Sequence, residues 1–150
     1  MKMIKKILMA HDSSEVSWKA FEWAADMAKK YNAELTVVHV IDTRVIPPIE
    51  HKDVILKPLK ERAEKLEKEV KEKAKEFDLD VDFVVREGSP VDEITKTAME
   101  KDVDLVVLGS RGLGNVSGYL LGSVSTKIVI TCRKSVLIVK PEAPAASPLK

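Results

Sequence analysis

Apolar runs that read as buried strands alternate along this chain with amphipathic stretches that read as helices. Ile4 to Ala10 is a nearly continuous apolar run, the pattern of a parallel strand covered on both faces. Leu35 to Ile41 repeats that pattern, and Val81 to Val85, Leu105 to Leu108 and Val136 to Val139 add three shorter runs. Between the first two, Asp12-Ser13-Ser14 supplies capping side chains, and Trp18, Phe21, Ala25 and Ala28 recur at helical spacing. Leu59, Ala63, Leu66, Val70, Ala74 and Phe77 form one apolar stripe on a long helix whose other face is Lys and Glu, an ordinary solvated face.

Helix starts and breaks are also written in the sequence. Ser89-Pro90-Val91-Asp92 combines an N-cap serine, a proline at the first helical position and an acid in the first turn, ahead of Ile94 and Ala98. Residues 42 to 57, with Pro47, Pro48 and then Pro58, read as a loop with a helical start near His51. A last helix is expected from about Gly122 to Thr131. Residues 1–140 read as a single domain, and 141–150, with three prolines and no periodicity, as a flexible tail.

Strands separated by helices imply an α/β fold: a doubly wound, five-stranded parallel sheet with right-handed crossovers and helices on both faces. Such a sheet binds ligands beyond the carboxyl ends of its strands, at the switch point. Of the two usual orders, 2-1-3-4-5 and 3-2-1-4-5, the second suits this chain. It sets the loop Ala10-His11-Asp12-Ser13 beside the loop that starts at Gly109, and these two are the richest in polar and glycine residues.

Composition narrows the partners. The chain has 150 residues, 45% hydrophobic, and its 25 basic and 24 acidic side chains leave a formal charge of +1, spread along the sequence. That balance favours neither nucleic acid nor an anionic membrane. Cys132 is the single cysteine, so no internal disulfide and no Cys/His zinc site is expected. A reducing, cytoplasmic location follows as the simplest expectation. The apolar stretch Ile7 to Ala10 ends at His11 and Asp12, too short for a cleavable signal core.

The densest chemical signal is a glycine cluster, Gly109, Gly112, Gly114, Gly118 and Gly122, five of the chain's six glycines. It lies between a strand and a helix, where free backbone N–H groups and the helix dipole attract an anion. Ser123 and Ser125 add hydroxyls there, although Ser123 also suits a plain N-cap. Neither the P-loop pattern nor Gly-x-Gly-x-x-Gly after the first strand is present. Gly109, Gly112, Gly122 and Ser123 instead fit the spacing Gly-x2-Gly-x9-Gly-Ser/Thr.

That signature resembles the ATP-binding branch of the universal stress protein family (UspA-like). The resemblance covers almost the whole chain, through Lys6-Ile-Leu-Met-Ala-His-Asp12, Val38-His-Val-Ile-Asp42, Arg86-Glu-Gly-Ser-Pro90, Leu105-Val-Val-Leu-Gly-Ser-Arg-Gly112 and Ser135-Val-Leu-Ile-Val-Lys-Pro141. It implies the 3-2-1-4-5 sheet of the adenine nucleotide alpha hydrolase-like fold, with ATP held between the first and fourth strands. It would place Gly109, Gly112, Gly122, Ser123, Val124 and Ser125 around ribose and phosphates, and the Val40 backbone against adenine. Asp12 would lie near the ribose or near Mg²⁺ or Mn²⁺ carried on the phosphates, though it also reads as a cap for the first helix. Arg111 has two readings, a phosphate donor or a solvated loop residue. His11 stands where the family often has Thr or Val; it could touch the ligand or be incidental.

Three functional classes compete. In the first, bound ATP makes the protein a regulatory module in a stress response, acting on a protein partner that the sequence does not name. In the second it is a slow ATPase or phosphoryl-transfer enzyme that needs a partner, since glycine and serine bind phosphate without supplying a base. In the third it is a dimeric interaction module that binds no nucleotide. A phospho-receiver domain, suggested by Lys140-Pro141, would need an acidic pair after strand one and an aspartate ending strand three, which Asp12 and Glu87 imitate poorly. Strand five carries no charge over Val136 to Val139, and the family resemblance implies a homodimer through that edge. Substitution Gly122→Val is expected to remove ATP while leaving the fold cooperative.

Overall fold

The computed structural model describes residues 3–48, 50–111 and 121–142. Five parallel strands, β1 (Lys6–Ala10), β2 (Glu34–Asp42), β3 (Val81–Gly88), β4 (Leu105–Gly109) and β5 (Ser135–Val139), form one sheet in the order 3-2-1-4-5. Four helices connect them: α1 (Glu15–Tyr31), α2 (Lys52–Glu76), α3 (Pro90–Glu100) and α4 (Ser123–Thr131). β4 is buried along its length and β1 from Ile7 to Met9, as central strands covered on both faces must be. Phe21, Ala24, Ala28, Leu66, Val70 and Ala74 of α1 and α2 pack on one face with Ile7, Met9 and Val107. Leu8, Val38, Val106 and Leu108 turn to the other, against Ile94, Ala98 and Ile128 of α3 and α4. Neighbouring residues of one strand thus serve opposite layers, as the period of 2 requires.

The register of the central pair is tied down at the bottom of the sheet. Asp104 Oδ2 accepts the backbone N–H groups of Lys5 and Lys6 at 2.8 and 3.0 Å, and those bonds hold its carboxyl below the usual range. Ile7 then faces Leu105 and Met9 faces Val107 across the ladder. The carboxyl ends of β1 and β4 lie side by side as a result.

Several local expectations change. The stretch read as a loop over 42–57 is largely ordered: Asp42 ends β2, Thr43–Val45 forms a 3-10 turn, and α2 begins at Lys52 and runs through Pro58. A proline there removes the bond to the Val54 carbonyl, but both residues are exposed, so water can take the carbonyl. Ser89 is the N-cap of α3 without a side-chain cap bond; the helix starts on Pro90, with Glu93 N–H donating to the Ser89 carbonyl. The tail read from 141 onward falls, from residue 143, outside the described residues.

Candidate functional site

A cavity of about 300 Å³ opens where β2, β1 and β4 end, on the side of the sheet covered by α3 and α4. It is at the small end of the range for ligand pockets. Its floor and sides are apolar around Ala10, Val38, Val40, Ile94 and Leu108, and polar around Asp12, Arg111 and the first turn of α4. β1 separates β2 from β4, so the two ends of the cavity lie about 10 Å apart.

At the β4 end, Gly122 is the N-cap of α4, and its N–H donates to the Ser110 carbonyl at 2.6 Å. Intrahelical bonding begins with Thr126, whose N–H donates to the Gly122 carbonyl at 3.0 Å. The N–H groups of Ser123, Val124 and Ser125 precede it, have no partner among the described residues, and belong to residues that line the cavity. This is a donor set for an anion, reinforced by the helix dipole. Ser125 contributes its N–H only, since its buried hydroxyl donates to the Ser110 carbonyl at 2.7 Å and lies 3.0 Å from that of Gly122. Ser123 occupies the first helical position and is exposed, so the N-cap reading of that residue passes to Gly122.

The glycines are held to their positions by packing as much as by any ligand. A Cβ on Gly109 would sit 2.6 Å from Val16 Cγ1, so α1 rests directly on the end of β4. A Cβ on Gly122 would meet Arg111 Cα at 3.2 Å and the Ser110 carbonyl oxygen at 3.4 Å. Gly122→Val therefore presses on the backbone of Ser110 and Arg111 and requires a local shift there. Gly112, Gly114 and Gly118 lie outside the described residues.

At β1, the cap of α1 comes from Ser14, whose Oγ accepts the Ser17 N–H at 3.1 Å. Asp12 is not that cap. Its Oδ1 accepts from Ser14 N–H at 3.0 Å and from Ser17 Oγ at 2.6 Å, while Oδ2 receives no bond among the described residues. The carboxylate is thereby oriented beside the cavity it lines. Ser13 takes φ of 77°, and the turn brings its N–H to His11 Nδ1 at 3.0 Å. His11 is 2% exposed, its Nε2 has no hydrogen-bond partner among the described residues, and Trp18 stands edge-to-face at 4.4 Å. Burial lowers its pKa from 6.5 to about 4, against the pull of Asp12. His11 is therefore held neutral, and it too lines the cavity.

Val40 lines the β2 end, pairing with Arg86 of β3. Asp42, Arg44 and Pro90 line it too. Sequence reading passed over these three, although an Asp-x-Arg immediately beyond an apolar strand is the kind of polar strand end where α/β sites form. Glu87 is the penultimate residue of β3 at the far edge of the sheet, with β2 between it and β1, and lies 3.9 Å from Lys60. The acidic set of a receiver domain is not assembled.

The donor set also bears on a metal. Among the described residues no group of three His, Cys, Asp or Glu could hold one. A single carboxylate with one oxygen uncommitted, Asp12, fits a hydrated Mg²⁺ or Mn²⁺ delivered on phosphates rather than a resident ion. No helix among the described residues is long and apolar enough to cross a membrane.

Comparison with known proteins agrees with this geometry. The model of the universal stress protein family matches residues 3–140. The chain is 35% identical over 148 residues to universal stress protein YxiE of Bacillus subtilis, covering 92% of this chain and all of the relative. It superposes on the solved structure of hypothetical protein MJ0577 with a TM-score of 0.82 at 32% identity, over 95% of this chain and 99% of that one. A universal stress protein solved in complex with cAMP gives a TM-score of 0.68 at 26% identity, over 91% and 97%. The family match over residues 3–140 and the identity to its members show that this chain belongs to the universal stress protein family.

Proposed function

We propose that the protein binds ATP in this cavity and acts as a nucleotide-dependent regulatory module. The observation that carries the reading is the alignment of the free N–H groups of Ser123, Val124 and Ser125 with Asp12 around one cavity at the β1/β4 switch point. Phosphates take the α4 end, joined by Arg111 and by Gly109, with Gly112 following in the chain. The base takes the β2 end, where the Val40 backbone offers its polar groups. The cAMP complex of a relative supports an adenine nucleotide as the ligand class. Mg²⁺ or Mn²⁺ enters on the phosphates, with Asp12 as its protein oxygen.

Residues 1–140 form the binding unit, with 141–150 as a tail, and the protein works in the cytoplasm on a protein partner, with no nucleic acid or membrane involved. It pairs as a homodimer through Val136 to Val139, because β5 is an edge strand without charge and Val129 and Ile130 of α4 beside it are exposed. Binding is a stronger claim than hydrolysis. Among the described residues of the cavity, His11 is buried and held neutral, Asp42 is paired with Arg44, and Asp12 has Oδ1 engaged by Ser14 and Ser17 and Oδ2 assigned to the metal, so none is kept for use as a base.

Calorimetric titration with ATP, with and without Mg²⁺, tests this. A Kd on the order of 1 μM, or about −8 kcal/mol, is expected, and chromatography of the recovered nucleotide should return ATP unhydrolysed. Ser123→Asp is the informative variant: an acid at the first position of α4 suits the helix dipole but faces the phosphates. It should cost at least about tenfold in ATP affinity, or ~1.4 kcal/mol, with the urea midpoint unchanged or raised. Absence of ATP binding by the wild type would leave the dimeric interaction module as the reading.

A further inference from the structure

The nucleotide reading leaves one constructed feature of the cavity unused. Asp42 ends β2 and caps the 3-10 turn, accepting the Arg44 backbone N–H on Oδ1 at 3.0 Å. The Arg44 side chain returns to the same carboxylate, Nε to Oδ1 at 2.9 Å and Nη2 to Oδ2 at 2.8 Å. Two parallel bonds fix the guanidinium plane, which a single contact would leave free to rotate. The fork holds Asp42 below the usual carboxylate range, so the pair stays ionised.

Both residues line the cavity beside Val40, Pro90 and Ile94, an apolar slot. Asp92, in the first turn of α3, adds a weaker electrostatic attraction on Arg44, after the dominant hydrogen bond and charge of Asp42. Asp42 and Arg44 balance each other at this end, and of the α3 residues that precede Glu93 only Pro90, which has no N–H, lines the cavity. The Asp42 carboxylate disfavours an incoming phosphate and already takes Nε and Nη2 of Arg44. The flat face of the cation, held in place by those two bonds, favours a π surface.

We propose that the Asp42–Arg44 pair is a stacking wall for the base, which makes the site prefer the large ring system of a purine to a pyrimidine. Arg44 supplies the plane, and Asp42 is the positioning residue that holds it. The inference rests on the adenine-nucleotide reading above.

Calorimetric competition with ATP, CTP, adenosine and inorganic tripolyphosphate separates the roles. Arg44→Ala should weaken ATP and adenosine alike by about three- to fivefold, narrow the preference for ATP over CTP, and leave tripolyphosphate unchanged. Arg44→Lys keeps the charge without the plane and should behave as the alanine variant does. Asp42→Asn, which loosens the fork, should show the same pattern at smaller size. A loss of tripolyphosphate affinity in Arg44→Ala that Arg44→Lys restores would overturn the proposal, as would adenosine binding that no variant alters. If the wild type binds ATP and these results fail, only the stacking wall falls; if it binds no ATP, the functional reading falls with it.

Discussion

His11 is a titratable side chain that the fold keeps uncharged. Its ring accepts from Ser13 N–H, abuts Trp18 and is shut from water, and burial outweighs the attraction of Asp12. A folded pKa of about 4 against 6.5 unfolded means that the unfolded chain takes up more protons between those values. The stability held above pH 6.5 is therefore lost progressively as pH falls toward 4, by up to about 3 kcal/mol. Urea unfolding at pH 7.5 and 4.5 should show this decline, and His11→Gln, which retains an acceptor for Ser13 but cannot titrate, should flatten it. Asp42, Asp102 and Asp104, all held low by hydrogen bonds, act only at still lower pH. An equal slope in wild type and variant would show that His11 is not the group responsible. The sequence marked His11 as a departure from the family pattern, but its two readings could be separated only by knowing what surrounds the ring. Gly109 and Gly122 teach the same lesson, since their spacing signalled a phosphate loop while their close neighbours, Val16 and Arg111, come from other elements.

At the scale of elements, strands and amphipathic helices were legible because burial on one or both faces writes its period into the sequence. So was a helical start near His51, which is the N-cap of α2; the continuity of that helix through Pro58 was not. Pro58 argues locally for a break, yet the helix extends back to Lys52 because the freed Val54 carbonyl stands in solvent. The cost of the proline is tolerated rather than removed. Pro58→Ala should thus raise stability by about 1 to 3 kcal/mol, read as a higher urea midpoint at unchanged m-value. A lower midpoint would mean that the proline shapes the approach from the 3-10 turn into α2. The caps divide in a similar way: Ser14 caps α1 as its residue type predicts, whereas Ser89 holds the cap position without using its side chain.

For the whole molecule, the sheet leaves β5 with one bonded neighbour, β4, and an outer edge free of charge over Val136 to Val139. Sedimentation equilibrium at micromolar concentration should return the mass of a dimer, and a monomer there would remove the proposed pairing. The amino-acid sequence by itself determined the α/β alternation, the apolar residues of each layer, the glycine-serine signature and hence the family. These are periodic or contiguous features, set by how each short segment meets water or core. Only the tertiary structure decided which polar groups share the cavity. Asp42, Arg44 and Pro90 reach it from β2, the 3-10 turn and α3, and Asp12 meets the α4 N–H groups across more than a hundred positions of chain. It also decided that Ser125 spends its hydroxyl on Ser110 and that His11 stays neutral. The physical reason is common to all of these: hydrogen-bond saturation and desolvation depend on neighbours that crossovers bring together, and those neighbours leave no periodic trace in the sequence.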